Sequence, residues 1–198
     1  MSGRVYRTVY EIADGQLGYV TTAQARAIGL GHAAIANLHH TGAVDRISQG
    51  VYRLARYPRS AVDEYMEASL WPSARGTEIR GVISYASALA LWEMSDVSPA
   101  KIHLTVSPTY RLRRTPPPVL VLHRAALREA DITWQHGIPV TTPMRTIRDC
   151  HAAHLGPALV RQAIDDGRRL GRLTLDEADV LMAELFGAKH DHRRTGSR

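Results

Sequence analysis

Residues 21–42 read TTAQARAIGLGHAAIANLHHTG, and the stretch predicts two helices joined by a short turn. The pair Thr21-Thr22 supplies good N-cap chemistry for the first helix. The turn spans residues 29–31 and contains two glycines, and the second helix then runs from His32 to His40. Gly42 stands where a helix-terminating glycine is expected. The stretch therefore predicts a helix-turn-helix unit.

The segments on either side extend this unit. Upstream, Val5, Val9 and Ile12 recur at helical spacing and predict a preceding helix, which we place at residues 5–13. Downstream, residues 44–54 indicate two short strands around a glycine turn. The order helix, helix, turn, helix, hairpin is that of a winged helix-turn-helix. We place this domain at residues 1–58 and predict that the segment 58–60 is the boundary to the next domain.

The second helix of the unit is the one that would enter a DNA major groove. Ile35 and Leu38 are expected to face the core, which leaves the polar and small side chains outward. Asparagine can pair with adenine, alanine can contact a thymine methyl, and arginines of the hairpin can contact phosphate. The DNA-contacting residues predicted in this way are Thr22, His32, Ala33, Asn37, His40, Arg46, Arg53 and Arg56. The alternative is an ordinary small helical unit with a hairpin.

Charge and composition restrict the class of protein. The formal net charge of +6 indicates a polyanion or an acidic macromolecule as partner. No apolar run approaches the roughly 18 residues that a membrane span needs, and no apolar segment typical of a signal peptide follows the N-terminal arginines. The single cysteine, Cys150, excludes an intramolecular disulfide. We therefore expect a cytoplasmic protein with no membrane partner.

A second region, residues 61–188, combines helical and strand patterns. Alternating residues in 102–106 and an apolar segment at 119–122 predict strands, and Val82-Ile83 predicts another. Helices are predicted at residues 63–71, 85–92, from Pro143 to about 153, at 157–170, and from the capping box at Thr174 to Phe186. The expected fold class is α+β, a winged helix-turn-helix followed by a mixed α/β domain. The polar tail 189–198 is expected to be disordered.

Few residues of the second region indicate catalysis or metal binding. His151 and His154 lie one helical turn apart, but neither a cysteine pair nor a carboxylate accompanies them at ligand spacing. We therefore expect no metal, no cofactor and no enzymatic activity. The basic loop with Arg111, Arg113 and Arg114 is either solvated surface or a contact to nucleic acid or to an acidic partner.

Several segments together resemble AbiEi-type antitoxins. In the first region they are residues 18–25, GYVTTAQA, and 50–54, GVYRL; in the second they are 102–106, IHLTV, and 137–143, GIPVTTP. The resemblance covers about residues 16–170 and rests on the order of the segments along the chain. It implies a bacterial antitoxin whose winged domain binds inverted repeats in operator DNA and represses its own operon, while its C-terminal domain counteracts a nucleotidyltransferase-type toxin.

Two other functions stay open from the residues alone. The chain could be a plain transcriptional regulator with a ligand-binding or dimerising C-terminal domain. A nuclease delivered by the DNA-binding domain would need a set of metal-binding carboxylates, which the sequence does not display. The sequence leaves the oligomeric state open.

Overall fold

A computed structural model describes residues 2–73, 80–112 and 115–187. The first part contains α1 (Ser2–Asp14), β1 (Tyr19–Thr21), α2 (Thr22–Ala27), α3 (His32–His40), β2 (Val44–Ser48) and β3 (Val51–Leu54). The strands form an antiparallel sheet in the order β1-β3-β2. The hairpin β2–β3, the short strand β1 and the three helices together form a winged helix-turn-helix. Helix α3 has the bounds that the sequence predicts.

Local hydrogen bonds explain where α2 and α3 begin and end. The Thr21 hydroxyl accepts from the Gln24 N–H at 3.1 Å, and the Gln24 side chain accepts from the Thr21 N–H at 2.9 Å, which is a capping box. After α2, Gly29 adopts a φ of +81°, which an L side chain disfavours, and the chain turns into α3. The short turn fixes the crossing of the two helices.

The winged unit closes over its own apolar cluster. Its buried members are Val9, Ala13, Val20, Ala25, Ile35, Leu38, Val44, Tyr52 and Leu54. The inward positions predicted for Ile35 and Leu38 are confirmed, since their exposed fractions are 1% and 2%.

The remaining chain forms a second sheet covered by helices. Its elements are α4 (Asp63–Leu70), β4 (Val82–Ile83), α5 (Tyr85–Leu91), β5 (Ile102–Val106), β6 (Leu120–Arg124), a 3₁₀ helix (Glu129–Asp131), β7 (Ile132–Gln135), β8 (Ile138–Thr141), α6 (Pro143–Ala152), α7 (Pro157–Arg169) and α8 (Leu175–Phe186). The strand order is β6-β5-β4-β8-β7. The pairs β4–β8 and β5–β6 are parallel, and the other two pairs are antiparallel. None of the helices in the described residues has the length and hydrophobicity that crossing a membrane requires.

The hairpin β7–β8 and the exposure of its tryptophan were not expected from the sequence. His136 and Gly137 both have positive φ, 52° and 74°, and form its turn. Trp134 lies on the edge strand β7 and is 58% exposed, although tryptophan is usually mostly buried. The Arg80 guanidinium lies 5.6 Å from the centre of its ring.

The two faces of the wing sheet pack against different partners. Val20, Tyr52 and Leu54 face the helices of the winged unit. Tyr19 and Val51 point to the opposite face, because side chains alternate along a strand, and they belong to the apolar cluster of the second sheet. The structure therefore joins the two predicted domains through a continuous apolar contact, while a domain division near residues 58–61 stays a prediction.

A stacked aromatic cluster lies beside β5 and β6. The Tyr85 and His123 rings stack with their centroids 3.8 Å apart, and His103 Nδ1 lies 3.0 Å from His123 Nε2. Burial, followed by the proximity of His103, lowers the pKa of His123 to about 4, and burial also lowers the pKa of His103. The folded state therefore keeps the pair neutral.

We expect this pair to make stability depend on pH. A histidine with a lowered folded pKa contributes its full stability above the unfolded value near 6.5 and loses it as pH falls towards about 4. The free energy of unfolding should fall across this window by about 1–3 kcal/mol. Urea unfolding at pH 7, 6, 5 and 4.5 measures the loss. His123→Gln should flatten the profile, and an equal slope in that variant would contradict the assignment.

Candidate nucleic-acid interface

The outward face of α3 is open to solvent in the full chain. His32, Ala33, Asn37 and His40 are all exposed, and so is Ala36 between them. The face stays exposed with the described residues of the second region present. The amide of Asn37 has the donor and acceptor that pairing with adenine requires.

His39, which was not among the residues predicted from the sequence, holds α3 against the wing. His39 Nδ1 donates to the Val44 carbonyl at 3.0 Å, and its ring meets Tyr52 edge-on with the centroids 6.2 Å apart. The contact connects the last turn of α3 to β2. It fixes the distance between the helix and the strand that carries Arg46.

Thr22 connects the start of α2 to the turn of the wing. Its backbone N–H and its hydroxyl both donate to the Gly50 carbonyl, at 2.9 and 3.3 Å. This gives Thr22 a structural role in holding the wing close to the helix-turn-helix. Its contact with DNA stays a prediction.

Three arginines of the winged unit are exposed. Arg46 lies on β2, and Arg56 lies two residues after the end of β3. Arg26 is exposed in the last turn of α2 and was not selected from the sequence, although its place on the first helix of the motif was a usable signal. Within the part of the chain that the structure describes, none of the three forms an ion pair. Their charges are available for phosphate.

The prediction that Arg53 contacts DNA is wrong, because its side chain is buried. Its exposed fraction is 3%, and its guanidinium donates to the carbonyls of Tyr57 and Pro58 at 3.0 and 2.6 Å. The same group lies 3.3 Å from the Asp63 carboxylate and 5.4 Å from the Tyr19 ring centre. A buried guanidinium held in this way cannot reach a DNA phosphate. Arg53 instead joins the end of the wing to α4.

The basic loop of the second region is only partly described. Arg111 is exposed. Arg113 and Arg114 lie outside the described residues, as does the predicted tail 189–198. The contact predicted for this loop therefore stays a prediction. Among the described residues, no group of three histidine, cysteine, aspartate or glutamate side chains is placed to hold a metal ion.

Comparison with solved structures finds a similar fold. The crystal structure of the RV2827C protein from Mycobacterium tuberculosis matches with a TM-score of 0.51 at 19% sequence identity, over 89% of this chain and 70% of that chain. At this identity the likeness concerns the fold. No curated protein sequence matches the chain significantly.

The family comparison concerns the winged unit. Residues 7–55 match the model of the family described as "Transcriptional regulator, AbiEi antitoxin". The matched segment extends from α1 to the end of the wing and contains α3 with its exposed face. Over this segment, the winged helix-turn-helix unit is therefore similar to the regulator domain that the family model describes.

Proposed function

We propose that the chain is the antitoxin of a bacterial toxin-antitoxin system and represses its own operon by binding inverted repeats in operator DNA. The observation that carries the DNA-binding half is the exposed polar face of α3 inside a unit that matches a regulator family. Asn37 reads bases, while Arg46, Arg56 and Arg26 neutralise phosphates on either side. The second region counteracts a nucleotidyltransferase-type toxin, a role supported by its resemblance to the C-terminal half of such antitoxins.

We expect the two kinds of DNA contact to separate in binding experiments. Arg46→Ala and Arg56→Ala should weaken binding to all sequences, and each should reduce the slope of log K against log salt by roughly 0.9. Asn37→Ala should cost about 1–3 kcal/mol on the operator alone. Fluorescence anisotropy with operator and scrambled duplexes at several salt concentrations measures both effects.

Arg168→Ala is the matched control, because Arg168 is exposed on α7 outside the winged unit. It should leave the affinity and the salt slope unchanged. Equal loss from Asn37→Ala on operator and scrambled DNA would show that this residue does not read bases. Unchanged salt slopes for both wing arginines would remove them from the interface.

Neutralisation can be tested separately from repression. The full chain is the right material, because Tyr19 and Val51 of the winged unit are buried in the apolar cluster of the second region. When it is co-expressed with a nucleotidyltransferase toxin encoded beside it, the chain should protect cells. The Asn37→Ala variant should protect equally although it binds the operator more weakly. Loss of protection in step with loss of DNA binding would contradict the proposed division of labour.

The second candidate is a plain transcriptional regulator whose second region binds a ligand or dimerises. The family description supports it as well, since it names a transcriptional regulator. The absence of a nucleotidyltransferase gene beside this one, together with operator binding, would favour it. An adjacent nucleotidyltransferase gene would favour the antitoxin.

A further inference from the structure

The second region contains a basic cavity that the proposed function does not use. Its volume is about 510 Å³, within the range of small-molecule sites. It lies between the 3₁₀ helix, the start of α6 and the turn that joins α7 to α8. Four arginines and a tryptophan line the cavity: Arg128, Arg145, Arg148, Arg172 and Trp92. Asp131 and Glu177 are the acidic lining residues.

A buried carboxylate fixes two of these arginines. Asp131 accepts from Arg128 Nη2 at 2.8 Å and from Arg145 Nη1 at 3.1 Å. Its side chain is 7% exposed, and the hydrogen bonds from Arg128 hold the pKa of Asp131 well below its usual range. Asp149 accepts from Arg145 Nε at 2.9 Å. The guanidiniums are therefore ordered before any ligand arrives, which lowers the entropic cost of binding.

These ion pairs leave donors unused. A guanidinium has five N–H donors. Among the described residues, Arg145 Nη2 and Arg148 Nη1 have no acceptor, since Arg145 and Arg148 use their other nitrogens on Asp131, Asp149 and Glu184. Arg172 forms no ion pair with any described residue and lies 5.5 Å from the centre of the Trp92 ring. The cavity thus presents guanidinium N–H donors that the neighbouring carboxylates leave unused.

The backbone at the start of α6 adds further hydrogen-bond donors to the cavity. Thr142, its N-cap residue, makes no side-chain cap, and Pro143 follows it. The N–H groups of Met144 and Arg145 have no acceptor within the described part of the chain, and both residues line the cavity. Free N–H groups at a helix start favour anions. Backbone and side chains therefore form one anion-binding surface.

We propose that this cavity binds a polyphosphate group, the chemistry that inorganic polyphosphates and nucleoside di- and triphosphates share. Arginine forks pair with phosphate oxygens through two parallel hydrogen bonds, and several guanidiniums around one cavity match a ligand with several phosphates. A single carboxylate would leave most of these donors unused. The proposal does not depend on DNA binding by the winged unit or on a toxin.

Isothermal titration calorimetry on the full chain tests the site with tripolyphosphate, ATP, adenosine and citrate as probes. Tripolyphosphate and ATP should bind, and adenosine and citrate should bind at least tenfold more weakly. ATP binding tighter than tripolyphosphate would add the nucleoside to what the cavity recognises, and equal affinities would define it as a polyphosphate site. Citrate binding as tight as tripolyphosphate, or no binding of either polyphosphate, overturns the proposal.

Two variants locate the site. Arg172→Gln removes a guanidinium that supports no ion pair in the described structure, and it should weaken polyphosphate binding about tenfold or more. Arg168→Gln is the control, because it removes an equal charge from an exposed position that does not line the cavity. Ala130→Trp keeps every charge and fills the cavity at an exposed lining residue, so it should abolish binding. Equal affinities in Arg172→Gln and Arg168→Gln, or unchanged binding in Ala130→Trp, place the phosphate elsewhere and overturn the assignment.

Discussion

Arg53→Ala should lower the free energy of unfolding of the full chain by about 3–5 kcal/mol, the cost of breaking a buried ion pair. The substitution removes two hydrogen bonds to the carbonyls of Tyr57 and Pro58. It also leaves the Asp63 carboxylate, which is 12% exposed, without its nearest cation. Arg59 remains 3.6 Å from Asp63 but is 70% exposed, so we expect the loss at the lower end of the range. Chemical denaturation monitored by tryptophan fluorescence measures it.

Arg56→Ala is the matched control for this experiment, because Arg56 is three residues away and exposed. It should change the free energy of unfolding by less than about 0.5 kcal/mol and weaken DNA binding instead. The opposite pattern, a stable Arg53→Ala protein that has lost DNA affinity, would restore Arg53 to the DNA interface. It would also contradict a structural role for the Arg53–Asp63 pair.

Gly137→Ala should destabilise the chain by about 2–4 kcal/mol, through left-handed backbone strain together with a steric clash. Gly137 has a φ of +74°, and a Cβ at this position would lie 2.7 Å from the Gly15 carbonyl oxygen. The contact brings the turn of β7–β8 against the loop between α1 and β1, so it belongs to the junction of the winged unit with the second sheet. Backbone atoms cannot move aside as the end of a flexible side chain can.

Gly171→Ala separates the two contributions. Gly171 has a similar φ of +68°, but a Cβ there meets no heavy atom within 4 Å. This variant should lose only the strain contribution, about 1–2 kcal/mol. Thermal unfolding of both variants gives the difference. Equal losses of stability in the two variants would mean that the β7–β8 turn does not contact the loop between α1 and β1 as closely as the structure shows.

The winged unit could be predicted largely from the sequence because its signals are local. The threonine cap, the glycine turn and the spacing of Ile35 and Leu38 each act within a few residues, and α3 has the predicted bounds. The strand β1 was missed because three residues are too few to show a period. The hairpin β7–β8 was missed because its turn, His136-Gly137, lacks the asparagine or aspartate that usually precedes glycine there.

The error at Arg53 has a tertiary cause. An arginine between Tyr52 and Leu54 is typical of a solvent-facing position on a hairpin. The outer face of β3 is instead covered by the second region, and every residue of the strand is buried. The alternation of side chains along a strand does not show what packs on the outer face of the sheet. The arginine cavity was missed for a related reason, because its members come from separate segments of the chain.

Binding of a specific DNA sequence by α3 and the wing can be measured directly. The most direct test measures the affinity of the full chain for the DNA upstream of its own reading frame and for scrambled DNA of equal length, at about 150 mM salt. We expect the affinity for the upstream DNA to be roughly a thousandfold or more greater than for the scrambled duplex. We also expect that Asn37→Ala removes much of this preference while leaving the weak binding to scrambled DNA unchanged. Equal affinity for the two duplexes, or a preference that Asn37→Ala leaves intact, would contradict sequence reading by α3.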